Sequence, residues 1–80
     1  MTDAQYLASE DVEALLGNWV GLNAALMELP IEPVRQLLDA EMAGRQRPQL
    51  ILRLHSRFNK LRAVEERGRI LRGERAWRYL

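Results

Sequence analysis

Cysteine is absent from this chain, which excludes a disulfide framework and any thiolate metal site, and the single histidine, His55, is too few for the usual zinc constellations. No apolar run approaches the roughly 20 residues that a membrane-crossing helix needs. The N-terminal stretch MTDAQYLASEDVE is acidic where a secretory leader is basic, so the expected location is the cytoplasm, with no membrane contact. Hydroxyl groups are equally scarce, confined to Thr2, Ser9, Ser56, Tyr6 and Tyr79. His55 and Ser56 are neighbours in sequence, and on a helix they point about 100° apart, so no nucleophile and base are paired locally. The scattered glycines match no phosphate-cradling loop. These absences predict a protein that is not an enzyme and that carries no metal and no cofactor.

A chain of 80 residues is one domain, and it buries only a little over ~60% of the surface its unfolded form exposes. With disulfides and metals excluded, the staple left to so small a core is a partner chain, and a homodimer is expected.

What the chain does have is charge, and it is unevenly placed. The formal net charge is +1, yet residues 1–44 hold eight acids against Arg35 alone, whereas residues 45–80 hold eleven bases against Glu65, Glu66 and Glu74. The halves therefore carry about −7 and +8. Such halves can attract each other within one fold or between two copies, or each can face a different partner.

Apolar spacing predicts an all-α protein of three helices, with a short middle helix and a long basic C-terminal one. The first helix is expected over about 10–28. Thr2 with Gln5 matches a capping box, Ser9 offers a second start, and Val12, Leu15, Trp19, Leu22, Leu26 and Leu29 recur at three- and four-residue spacings. Leu16, Val20 and Met27 widen this stripe, while Gly17 and Gly21 stand inside it as weak helix formers or as points of close backbone approach.

Pro30 forbids continuation, Ile31 is placed as a staple, and Pro33 suits the first position of a second helix over about 33–43. Val34, Leu37, Leu38 and Met42 are its expected buried stripe, with Gly44 as a left-handed cap. Pro48 opens a third helix over about 48–72, and residues 73–80 are a tail that could extend it.

Leu50, Leu54, Phe58, Leu61, Val64 and Leu71 mark the core side of that third helix. Unbroken to Leu80 it would run roughly 50 Å, against about 30 Å for a globule of this size, so it must stop near Gly68 or Gly73 or project. Leu52, Ala63, Ile70 and Trp77 line up on the opposite side, and a helix apolar on two sides is usually contacted on two sides.

Arg53, Arg57, Lys60 and Arg67 form a basic stripe at spacings of 4, 3 and 7. It could track phosphates, or acids of an antiparallel first helix could lie along it and make it a structural seam. Gln36, Ala40, Gly44 and Leu50 fall at offsets of the helix-turn-helix motif, but Asp39, Arg45 and Arg53 stand where that motif places apolar residues.

The stretch LPIEPVRQLLDAEMAGRQRPQLILRLHSRFNKLRAVEERGRIL, with its short helix, Gly stop, Arg-rich turn and long basic helix, resembles the compact helical proteins encoded by bacterial viruses. That resemblance covers about half the chain and implies a phage accessory protein that binds a host protein of the transcription, replication or immunity machinery and inhibits or redirects it.

The expectation is a non-enzymatic protein-binding module. Arg45, Arg47, Arg53, Arg57, Arg67 and Arg69 would meet an acidic partner surface, and Leu52, Ile70 and Trp77 would serve self-association or partner docking. The alternative is a nucleic-acid-binding transcriptional regulator that uses the basic stripe.

Overall fold

A computed structural model describes residues 6–73 of the chain. The expected capping box at Thr2 and Gln5, the tail 74–80 and Trp77 lie outside the described residues. Within them the fold is all-helical with no strand, and it has four helices in place of the three expected: α1 (Ser9–Leu16), α2 (Trp19–Leu26), α3 (Ile31–Ala43) and α4 (Pro48–Leu71).

The expected first helix is broken by Asn18. Its backbone is extended (φ −137°, ψ 95°), and its side chain accepts the N–H of Gly21 at 3.1 Å, so it serves as the N-cap of α2. Gly17 ends α1 by donating its N–H to the Glu13 carbonyl. A Cβ on Gly21 would lie 2.8 Å from the Asn18 amide nitrogen, so this glycine leaves room for the capping side chain rather than for another backbone.

The break ends the single stripe expected from Val12 to Leu29. Val12 stays buried on α1, and Leu22 and Leu26 are fully buried on α2, but Trp19, Val20 and Met27 are exposed. The eight residues of α2 include no charge, and with its C-cap Met27 this short helix offers solvent an apolar face at Val20, Ala24 and Met27, spaced four and three apart.

α3 begins two residues before the expected start, with Pro30 as its N-cap and Pro33 buried in its first turn, where a missing N–H leaves no hydrogen bond unmade. Ile31 is thus part of the helix rather than a staple ahead of it. Val34, Leu37 and Leu38 are buried as their spacing predicts, but Met42 is exposed and the buried position beside it belongs to Glu41. Gly44 is not left-handed (φ −107°); the left-handed residue is Gln46 (φ 54°), whose N–H donates to the Glu41 carbonyl at 2.9 Å. Residue 46 closes the turn, and its amide side chain reaches back to the Met42 carbonyl.

Pro48 is the first residue of α4, where it suits the fixed φ of proline and no N–H is required. At 24 residues α4 is about 36 Å long and accounts for most of the 41 Å long axis of the molecule. α3 and α4 form the principal packing pair, as the short connection between them requires, and α1 lies against both α2 and α3.

The core comprises Val12, Leu22, Leu26, Val34, Leu37, Leu38, Leu50 and Leu54, with Phe58 and Leu61 packed at its edge. It stops there. Val64 and Leu71, expected in the core, are 60% and 80% exposed because α2 and α3 do not reach the distal third of α4. The segment entering α1 is tied down by Gln36, whose amide donates to the Leu7 carbonyl and accepts the Leu7 N–H, both at 2.8 Å.

Candidate protein-interaction surface

The arginines divide into those the fold uses and those it leaves at the surface. Arg47 belongs to the first group. Glu41 is 1% exposed, and its carboxylate accepts the Arg47 backbone N–H at 2.9 Å, Nε at 2.8 Å and Nη2 at 2.8 Å. Nη2 also donates to the Leu16 carbonyl at 3.0 Å, the last residue of α1. Hydrogen bonding to the Arg47 side chain holds the Glu41 carboxyl below its ordinary value, against the opposing effect of burial, and the Arg47 backbone N–H adds to the lowering. The same bond raises the Arg47 guanidinium.

Arg53 and Arg57 are likewise engaged. Arg53 Nε donates to the Asn23 side chain at 2.6 Å. Arg57 Nε donates to the Leu26 carbonyl at 2.8 Å, with Nη2 at 3.4 Å from the Met27 carbonyl. α2 has no basic residue in its own last turn, so Arg57 supplies from α4 both the donor and the positive charge that the carbonyl end of a helix favours. The basic stripe is in this part an internal seam. It meets carbonyls and an amide, not the carboxylates of an antiparallel first helix.

Arg45, Lys60, Arg67 and Arg69 are exposed. Arg69 reaches Glu65 at 3.3 Å one turn away, and Arg62 lies 6.0 Å from the centre of the Phe58 ring. Arg35, the lone base of the acidic half, stands between Glu32 and Asp39 at 4.0 and 3.9 Å. Among the described residues a single ion pair joins the acidic half to the basic half, that of Glu41 with Arg47. Glu10, Asp11, Glu13 and Glu28 are exposed on one side of the split, and Arg45, Lys60 and Arg67 on the other.

Leu52 and Ile70 do share the side of α4 opposite the core, at 69% and 50% exposure. Ser56, Asn59 and Ala63 lie between them on that side, so the expected second apolar face is interrupted. An open cleft of about 500 Å³ lies between α1 and α3, walled by Val12, Leu16, Gln36, Ala40 and the Glu41–Arg47 pair. Glu41 and Arg47 in its wall satisfy each other, and Glu13 and Arg45 also line it, exposed. His55 is on the exposed surface of α4, beside Asn59, and does not line the cleft.

Glu41, Asn18 and Asn23 are polar residues whose roles apolar spacing does not reveal. A signal existed for Glu41, which stands four residues after Leu37 and three after Leu38 on the buried stripe, with arginines just past the turn. Comparison of the chain with protein-family models, curated proteins and solved structures finds no match.

Proposed function

We propose that this chain is a non-enzymatic protein-binding module whose basic surface engages an acidic surface of another protein. In the setting that the resemblance to phage-encoded helical proteins implies, the partner is a host protein that is inhibited or redirected. The observation that supports this reading is the charge split left open by the fold, with Arg45, Arg67 and Arg69 at the surface. Such a field steers an oppositely charged partner and selects against like-charged ones. Arg47, Arg53 and Arg57 act indirectly, by holding α1, α2 and the turn before α4 in place. Self-association through Leu52 and Ile70 is part of the same proposal, and a sedimentation series over protein concentration tests it.

Nucleic-acid binding is the second reading, favoured by the exposed Lys60 and Arg67. It has lost two of its four stripe residues to internal hydrogen bonds. Affinity capture from a bacterial host extract tests the first reading, comparing the native chain with an Arg45→Glu/Arg67→Glu variant. The expected result is a partner with an acidic surface, retained by the native chain, lost from the variant, and bound again when both proteins are pure. Equal retention by both forms, or none by either, refutes it. Duplex and single-stranded DNA titrated over a salt series test the second, which requires affinity that falls as a power of salt concentration.

A further inference from the structure

The core side of α4 is written at alternating spacings of four and three from end to end: Leu50, Leu54, Arg57, Leu61, Val64, Gly68, Leu71. The fold covers only the first part of this seam. Leu50 and Leu54 are buried, and Arg57 turns into the end of α2. Leu61 is half-buried at the edge, and beyond it Val64 and Leu71 are exposed, while at Gly68 between them the Arg72 guanidinium comes within 3.3 Å of where a Cβ would stand. Ten residues of α4 follow Leu61, about three turns or 15 Å. The distal seam therefore offers apolar anchors at i, i+3 and i+10, spacings along which one amphipathic helix recognises another.

Charge beside the seam selects the occupant. Lys60 and Arg67 flank it on one edge, while Glu65 on the other edge is neutralised by Arg69 at 3.3 Å. A second copy of α4 laid antiparallel would bring the Lys60 and Arg67 edge against the same basic edge of its mate, which is unfavourable. The acidic helix of a second copy is also unsuited, since the Val12 face of α1 is already buried in its own core.

We infer that the distal third of α4, through Leu61, Val64 and Leu71 with Lys60 and Arg67 beside them, takes up an acidic amphipathic helix of a partner protein. This rests on the protein-binding reading and adds the mode of binding: the partner completes a helix pairing that α2 and α3 leave unfinished. It also moves the apolar contact from Leu52 and Ile70 to the core-side seam.

The probe is a synthetic helical peptide of about three heptads, with Leu at the seam spacing and Glu at the flanking positions, labelled for fluorescence anisotropy and used below its own self-association range. Its twin carries Lys in place of Glu. The Glu peptide should bind the full chain at least about tenfold more tightly than the Lys peptide. Val64→Asp and Leu71→Asp should each weaken it about tenfold or more, while Leu52→Asp and Ile70→Asp leave it within about twofold. All four positions are exposed, so circular dichroism should show the same helix content and melting point in each variant.

Equal binding of the two peptides, no binding, or equal loss from Leu52→Asp overturns the inference. So does a native dimer that Val64→Asp converts to monomer, because the seam would then hold a second copy. A captured host partner that depends on Arg45 but ignores Val64→Asp and Leu71→Asp overturns the seam and spares the protein-binding reading. Capture of nothing sinks that reading, and the peptide titration still decides the seam.

Discussion

Replacing Glu41 by Gln keeps the size of the side chain and removes its charge, and the consequence can be worked from the contacts. The carboxylate accepts three hydrogen bonds from Arg47, at 2.8, 2.8 and 2.9 Å, in a site where it is 1% exposed. A carboxamide can keep one or two of these through its oxygen, but its NH2 group points a donor at the donors of Arg47. Hydrogen bonds involving a charged group contribute about 1.5–3 kcal/mol each, and the Arg47 side chain is 34% exposed and can recover part of its loss in water. The expected net loss is therefore about 2–3 kcal/mol, a large share of the roughly 4–12 kcal/mol that holds a chain of this length. The melting point should fall by about 10–20 °C.

The pH dependence has a definite sign. Because the folded Glu41 carboxyl lies below its ordinary value of 4.5, its stabilising contribution is fully present above that value and is lost as pH falls through the lower folded one. Urea denaturation followed by circular dichroism at neutral pH and at successively more acid pH should show native and Glu41→Gln curves converging in acid. A variant within about 0.5 kcal/mol of native at neutral pH would mean that burying the carboxylate already offsets its bonds, and the reasoning fails. So would a gap that acid leaves unchanged.

Other substitutions separate the remaining contributions by the same assay. Asn18→Ala removes the N-cap of α2 and should lower stability by about 1 kcal/mol, whereas an unbroken helix through residue 18 would be stabilised by alanine. Arg57→Ala uncaps the C-terminal end of α2 and should cost about 1 kcal/mol; no change would mean that water serves the Leu26 carbonyl equally well. Leu54→Ala opens a cavity where the residue is fully buried and should cost about 2–5 kcal/mol, while Val64→Ala, on the same side of the same helix, should stay within about 0.5 kcal/mol. Equal effects at the two positions would mean that the distal third of α4 is covered.

The difference between Leu54 and Val64 also marks how far spacing can be read. Periodicity identified the stripe of α4, because apolar residues at three and four apart leave one face for burial whatever buries it. It could not say where the covering ends, since that depends on the length and placement of α2 and α3. Leu22, Leu26, Val34, Leu37 and Leu38 follow their spacing into the core for the same local reason. Spacing runs straight through the break at Gly17 and Asn18, because the apolar pattern continues across it and the deciding interaction is a polar one. Asn18 bonds the backbone three residues ahead and so competes with helix continuation. Residue type alone points to Gly44 as the left-handed cap. Bonding of the Gln46 N–H to the Glu41 carbonyl, in a turn where the Arg47 N–H meets the Glu41 carboxylate, placed the positive φ two residues later.

The charge split reads differently once the hydrogen bonds are known. The basic half binds the acidic half at one buried carboxylate and at two helix ends: Arg47 pairs with Glu41 and also donates to the last carbonyl of α1, and Arg57 donates to the last carbonyl of α2. Neither of those helices ends in a basic residue of its own. A carbonyl end carries only about half an elementary charge, so the carbonyl contacts hold the helices without neutralising the exposed acids of the first half. Glu10, Asp11, Glu13 and Glu28 are left exposed on one side, and Lys60 and Arg67 on the other. Had Arg57 met a carboxylate as Arg47 meets Glu41, the fold would have consumed more of the charge that the proposed partner reads. Substituting the capping arginines should thus reduce stability first and partner affinity only through it, whereas reversing Arg67 should reduce affinity at unchanged melting point. A variant set in which both groups shift stability and affinity in parallel would contradict this division between arginines that build the surface and arginines that present it.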